Sequence, residues 1–266
     1  MWFGPGKDFS ARSLRPCPVP PHQTRKMVRV TRMSATASTG APRFRSVQAT
    51  RISIAAREAR AIQGCDRMRW STRGDVHVRV EYERFVGDEA QGELLADFMA
   101  GERWPYHVSE RVDRDAVRRR VGEGYYDGEW VRTFWIVVDG AHAGVVRLED
   151  LDDETPMFDL RIRSAYRGRG LGGGAVTWLT EQVFRAYPEI SRIEGTTRQD
   201  NHAMRRVFRR CGYAKEAHYR EAWPSADGTV YDSIGYAITR KDWLAGTVTP
   251  PDWHDEPAAE TPGLTA

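Results

Sequence analysis

The run Arg167-Gly168-Arg169-Gly170-Leu171-Gly172 combines glycines, which let backbone N–H groups approach an anion, with two guanidinium charges. Two periodic segments flank it. Before it, Phe158, Leu160 and Ile162 alternate with Asp159, Arg161 and Arg163, the two-residue period of a half-buried strand. After it, Val176, Leu179, Val183 and Tyr187 recur at helical spacing. The spacing predicts a helix starting near Gly170, with the positive end of its dipole behind the glycines. The stretch from Met157 to Thr180 therefore predicts a bound phosphate or pyrophosphate.

The elements that hold this loop are legible on both sides. Val76, Val78, Val80 and Tyr82 alternate as a first strand, and Asp88 caps a helix carrying Leu94, Leu95, Phe98 and Met99 on one face, closed by Gly101. Trp104-Pro105-Tyr106-His107 reads as an aromatic loop, followed by a short charged helix at 113–121. Two apolar, β-branched runs at 133–138 and 143–148 flank Asp139-Gly140, a hairpin signal. Beyond the opening stretch come a strand at 191–197, a helix capped by Asp200 or Asn201 and ended by Gly212, and two strands around Asp227-Gly228. The order β-α-α-β-β-β-α-β-α-β-β makes one α/β domain over residues 75–243, with residues 244–266 expected to be a flexible tail.

Charge divides the chain. Residues 1–70 carry 14 Lys+Arg against 3 Asp+Glu, leaving 26 against 34 for the remainder, although the whole is only +3. The first 70 residues are rich in Arg, Ser, Thr and Pro and lack a sustained apolar period, so a disordered basic extension is expected there. Its basic residues are scattered without interleaved aromatics, which favours a dispensable extension over a nucleic-acid tail or a transit peptide. No apolar run approaches membrane-spanning length, and three cysteines form no disulfide framework, so a cytoplasmic protein is expected, with no membrane partner.

Gly168, Gly170 and Gly173 also satisfy G-x-G-x-x-G, with Glu194 about 20 residues on where a dinucleotide fold keeps its ribose-binding acid. That reading fails on context. A dinucleotide fold opens on a strand buried on both faces, whereas this strand alternates charges and follows a hairpin in mid-chain. Read from its arginine, Arg167-x-x-Gly170-x-Gly172 resembles the acetyl-CoA signature of the GNAT superfamily of acyltransferases. The stretch from Arg192 to Asn201, Ala203 to Phe208, Cys211 to Glu216 and the closing Gly235 to Ile238 resemble its RimJ/RimL-type branch.

The resemblance implies an α+β fold with a mostly antiparallel central sheet flanked by helices, and a splayed strand pair at the acetyl-CoA site. It implies acetyl-CoA as co-substrate, no metal, and transfer to a primary amine. The acceptor is then a protein N-terminal α-amine, or alternatively a small molecule such as an aminoglycoside. A non-catalytic acyl-CoA-binding module is a further alternative, and homodimerisation is left open. By motif position, backbone groups of Ile162 and Arg163 meet the pantetheine arm, the N–H groups of Arg167, Gly168, Arg169, Gly170, Leu171, Gly172 and Gly173 hold the pyrophosphate, and Asn201 contacts the arm. Glu149 is the first candidate for general base and Glu194 the second; Trp104, Tyr106 and His107 fall in the loop that overhangs the acceptor cleft. Many relatives carry a tyrosine acid seven residues after the asparagine, and branch members often a serine three after it. Here these positions are Phe208 and Met204, which donate no proton, leaving Tyr219 as the substitute acid.

Overall fold

The computed structural model describes residues 66–71 and 77–254. Eight strands form one sheet: β1 (Asp66–Ser71), β2 (His77–Arg84), β3 (Arg132–Val138), β4 (Ala141–Glu149), β5 (Met157–Ile162), β6 (Arg192–Arg198), β7 (Ala214–Pro224) and β8 (Val230–Thr239). Their spatial order is β1-β2-β3-β4-β5-β6-β8-β7. Every neighbouring pair is antiparallel except β5 and β6, which run parallel. Five helices accompany it among the described residues: α1 (Glu89–Ala100), α2 (Arg114–Gly122), α3 (Leu171–Ala186), α4 (His202–Arg210) and α5 (Arg240–Ala245).

Strand alternation sends two apolar sets to opposite faces. Phe134, Ile136, Val146, Leu148, Phe158 and Ile193 join Val176, Leu179 and Val183 of α3 and Phe208 of α4 in the larger core. Trp135, Val137 and Val145 pack instead with Leu95, Phe98 and Met99 of α1 and Val117 of α2. The sheet is thus a middle layer with helices on both sides. The larger core is strongly aromatic: Tyr82 stacks on Trp178 at 4.1 Å between centroids, and Phe208 on Tyr236 at 4.7 Å.

Local signals act as expected. Asp88 and Asp113 accept hydrogen bonds from the N–H groups of Gln91 and Ala116, capping α1 and α2. Asp139 (φ 48°) and Gly140 (φ 84°) both adopt positive φ, which matches the twist that a two-residue hairpin turn needs between β3 and β4. The α+β fold expected from the sequence is present: a mostly antiparallel sheet flanked by helices.

Two boundaries differ from the sequence reading. Residues 1–65 of the expected extension lie outside the described residues, but Asp66–Ser71 form β1 and pair antiparallel with β2, so the sheet begins before residue 75. The cause is visible in Met68 and Trp70 alternating with Arg67 and Arg69, a strand period hidden within a basic composition. At the other end the chain remains ordered past residue 244. Thr239 caps α5, and the buried Asp242 carboxylate accepts from the Thr247 and Thr249 hydroxyls at 3.0 and 2.7 Å. Residues 255–266 lie outside the described residues.

Candidate active site

β5 and β6 touch at one rung. Met157 pairs with Glu194, whose N–H donates to Pro156 O at 3.0 Å, and beyond that point the two strands share no ladder. This is the splayed pair the sequence led one to expect. On the β4 side, the Arg163 N–H donates to Ala143 O at 2.9 Å, so it faces away from the gap. By the alternation of an antiparallel ladder, Ile162 turns its backbone groups into the gap instead. The expectation that both residues offer backbone contacts there is thus corrected for the Arg163 N–H. The Ile162 carbonyl accepts from Arg167 Nε at 2.8 Å, and Arg167 also reaches the Arg103 carbonyl at 3.3 Å.

The glycine loop lies at the far end of the gap. Gly168 (φ 78°) and Gly170 (φ 84°) occupy the left-handed region, and a Cβ placed on Gly168, Gly170 or Gly173 would meet nothing within 4 Å. α3 begins at Leu171 without a side-chain cap; Gly174 makes the first backbone bond, to Gly170 O at 3.1 Å, leaving the N–H groups of Leu171, Gly172 and Gly173 pointing outward. Open space, unused donors and a 16-residue helix dipole suit a phosphate, so these residues fit the pyrophosphate of CoA. Arg169 stands beside them over the Tyr166 ring.

Asn201 caps α4. Its side-chain oxygen accepts from Met204 N at 3.2 Å and its amide donates to Thr197 Oγ1 at 3.0 Å. Phe208 is a core residue, 1% exposed, stacked on Tyr236 and standing over Gly195. Met204 packs against the same core. Neither side chain projects a polar group toward the gap.

The opposite face of β4, β5 and β6 is charged. Glu149 pairs with Met157 and Met157 with Glu194, so the two carboxylates named from sequence flank the closed rung on the same face, one strand to either side. Each is braced by the arginine two residues before it: Arg147 Nη1 lies 2.9 Å from Glu149 Oε2 and Arg192 Nη2 2.8 Å from Glu194 Oε1. Arg192 also holds Glu216 at 2.6 Å. Further along β5, Arg161 Nε contacts Asp159 Oδ2 at 2.9 Å, and the other oxygen, Oδ1, lies 3.0 Å from His107 Nε2. Burial acts to raise the Asp159 carboxyl, but the Arg161 and His107 beside it outweigh that effect and hold it well below the usual carboxylate range.

The aromatic loop between α1 and α2 crosses this face. His107 meets β5 through Asp159, while Tyr106 lies 5.0 Å from the guanidinium of Arg198 at the end of β6, so the loop spans both strands of the gap. Trp104 takes a different place from the one read in sequence. It is 1% exposed, packs on Phe98 and spends its N–H on the Met99 carbonyl at 2.9 Å, so it belongs to the core beneath the loop rather than to an exposed lining. Tyr219 shares a rung with Ser233 and, through it, with Arg198, and is 45% exposed. Sequence reasoning missed Asp159, Arg161, Arg147 and Arg192. Their signal was there, as opposite charges two residues apart in Arg147-Leu148-Glu149, Asp159-Leu160-Arg161 and Arg192-Ile193-Glu194, a spacing that puts both partners on one face of a strand.

Among the described residues no helix is long and apolar enough to cross a membrane, and no group of three or more His, Cys, Asp or Glu could hold a metal ion. No curated protein matches the chain. Solved structures do, at low identity. A RimL ribosomal L7/L12 α-N-protein acetyltransferase in complex with coenzyme A is 18% identical, with TM-score 0.53, covering 60% of this chain and 93% of its own. An acetyltransferase from Salmonella typhimurium that modifies the N-terminal serine of ribosomal protein L7/L12 is 16% identical, with TM-score 0.50, covering 60% and 94%. A dodecameric spermidine N-acetyltransferase from Vibrio cholerae is 15% identical, with TM-score 0.52, covering 62% and 96%. These likenesses carry the fold. The family follows from a sequence model described as an acetyltransferase (GNAT) domain, which matches residues 80–214, half of the chain. With its splayed strands and glycine-capped helix, the chain belongs to the GNAT family and is an N-acetyltransferase.

Proposed function

We propose that this enzyme transfers an acetyl group from acetyl-CoA to a primary amine by direct attack in a ternary complex, the acceptor being a protein N-terminal α-amine. The observation that carries the reading is the alignment along β5: an anion cradle at its C-terminal end, a backbone gap beside it, and two braced carboxylates at the closed rung. Acetyl-CoA, when bound, supplies an acetyl group activated as a thioester. The protein's part is to hold and orient it. Leu171, Gly172 and Gly173 offer N–H donors to the pyrophosphate, with Arg167, Gly168, Arg169 and Gly170 shaping the loop. The Ile162 N–H is the donor facing the gap and is suited to polarise the carbonyl.

An amine attacks only in its neutral form, so a proton must leave it. Glu149 is the proposed base and Glu194 the alternative, acting through water. Asn201, which caps α4 just past the end of β6, is the proposed side-chain contact for the cofactor arm. Phe208 and Met204 leave the departing thiolate without a hydroxyl on α4, and Tyr219 is the proposed donor from the sheet side. A thiolate with a pKa of about 8.5 is already a fair leaving group, so this donor is asked for little.

A small-molecule amine is the second reading, favoured by the fold likeness to a spermidine N-acetyltransferase. A thiol-release assay with acetyl-CoA against N-terminal peptides, polyamines and aminoglycosides separates the two. Peptide-selective release supports the first, and polyamine- or aminoglycoside-selective release supports the second. Acetyl-CoA binding without release on any amine would defeat both.

A further inference from the structure

The charged face of β5 holds more positive charge than its carboxylates neutralise. Asp159 is shared by Arg161 and His107, and no described carboxylate lies within ion-pair distance of Arg163. Arg161 is in β5 and Arg163 is the residue just past its end, still bonded in register to Ala143 of β4, so the two project from the same face about 7 Å apart. Each lies against an aromatic ring: Arg161 is 5.5 Å from the Trp104 centroid and Arg163 4.9 Å from that of Phe98. Each also has a buried guanidinium nitrogen with no hydrogen-bond partner, Arg161 Nη1 and Arg163 Nε. His107 Nδ1, beside them, is buried and unpartnered as well. Buried donors without acceptors are costly, so the two arginine N–H groups, side by side on the same face, suit a guest with acceptor oxygens.

The carboxylates around the gap argue for the same guest by exclusion. Glu149, Asp159, Glu194, Glu216 and Asp200 are each within 3 Å of an arginine nitrogen. A polycationic acceptor would therefore find these five anions engaged, whereas an acceptor bearing an anion would find two oriented guanidinium groups with donors to spare.

We propose that the acceptor amine carries a carboxylate close to its nitrogen and that Arg161 and Arg163 bind that carboxylate. Peptides with an acidic residue near the N-terminus, or free amino acids, have this chemistry; polyamines and aminoglycosides do not. Trp104 of the α1–α2 loop lies against Arg161 and Phe98 of α1 against Arg163, so these side chains must give way for the acceptor carboxylate to reach the two buried nitrogens. The inference rests on the amine-transfer reading above and narrows its acceptor.

The test uses the full chain and paired acceptors: Ser-Asp-Ala-Ala against Ser-Asn-Ala-Ala, both C-terminally amidated, glutamate against 4-aminobutanamide, and spermidine alone. Thiol release gives kcat/KM for each, and calorimetry gives acetyl-CoA affinity. The expected result is at least about tenfold higher kcat/KM for the carboxylate member of a pair, carried by KM and lost in both Arg161→Gln and Arg163→Gln. Equal use of the paired acceptors by the native protein overturns the inference, and needs no variant to fold. So does discrimination that survives both substitutions. Variants that lose acetyl-CoA affinity while retaining acceptor discrimination overturn it too, assigning the arginines to a cofactor phosphate. If acetyl-CoA binds but no amine is used, the amine-transfer reading itself fails, a pattern distinct from turnover without discrimination.

Discussion

The two faces of the sheet beside the gap follow opposite rules. On the α3–α4 side, Phe158, Ile193 and Phe208 are buried and closely packed, and Gly195 is a glycine because a Cβ there would come within 2.6 Å of the Phe208 ring. On the α1–α2 side, carboxylates and guanidinium groups alternate, and several nitrogens lack partners. The first face has almost no tolerance for change in volume, since packed interiors respond to a single methyl group. The second can exchange one polar partner for another. The contrast teaches that one side of β5 and β6 fixes geometry by packing, while the other carries the charged groups proposed for the chemistry.

Substitutions can break or sharpen that division. The largest effect is expected on the charged face, where Glu149→Gln should lower kcat about a hundredfold to ten-thousandfold with acetyl-CoA affinity preserved. Stopped-flow thiol release and calorimetry measure the two quantities. A Glu194→Gln protein showing that loss, with Glu149→Gln near native, would exchange the two roles. On the packed face, Gly195→Ala should cost about 1–3 kcal/mol of stability through overpacking, read from the denaturant midpoint, with little change in KM for an acceptor. A change in KM without loss of stability would dissolve the division between faces.

Gly170→Ala lies between the two. Its φ of 84° strains any side chain by about 1–2 kcal/mol, and the expected readout is a several-fold rise in KM for acetyl-CoA. The smallest effect concerns pH. The Asp159 carboxyl is held below its unfolded value of about 3.9, so its stabilising contribution is complete above that pH and disappears as pH falls through the depressed folded value. Asp159→Asn should therefore be less stable than native at pH 7, and the difference should shrink as pH falls below about 4. Urea melts at several pH values would reveal a constant difference if Asp159 were unpaired.

Much of this architecture was legible from spacing alone. The Asp139-Gly140 turn, the cap at Asp88, a cap at Asp200 or Asn201 (the structure uses Asn201) and a helix start near Gly170 rest on local conformational preference, which a sequence carries directly. What was hidden depends on partners distant in the chain. Trp104 reads as a loop aromatic, and its burial is set by Phe98 and Arg161. His107 reads as a residue of the aromatic loop, and nothing local names its partner Asp159, 52 residues on. Likewise, nothing local tells that Glu149 and Glu194 flank the same residue, because that follows from the parallel placement of β6 after an α3 crossover.

The single rung at Met157 also bears on how the molecule behaves without its ligand. A sheet ordinarily has two edges, but a sheet opened in the middle has four, and unpaired backbone is a template for pairing with other chains. Arg167, by occupying the Ile162 carbonyl, blunts part of one inner edge. A pantetheine arm laid into the gap would act as a borrowed ninth strand and complete the ladder. Ligand supply would then guard against self-association as well as feed catalysis, and amide exchange at residues 158–162 and 195–198 should slow when CoA is added.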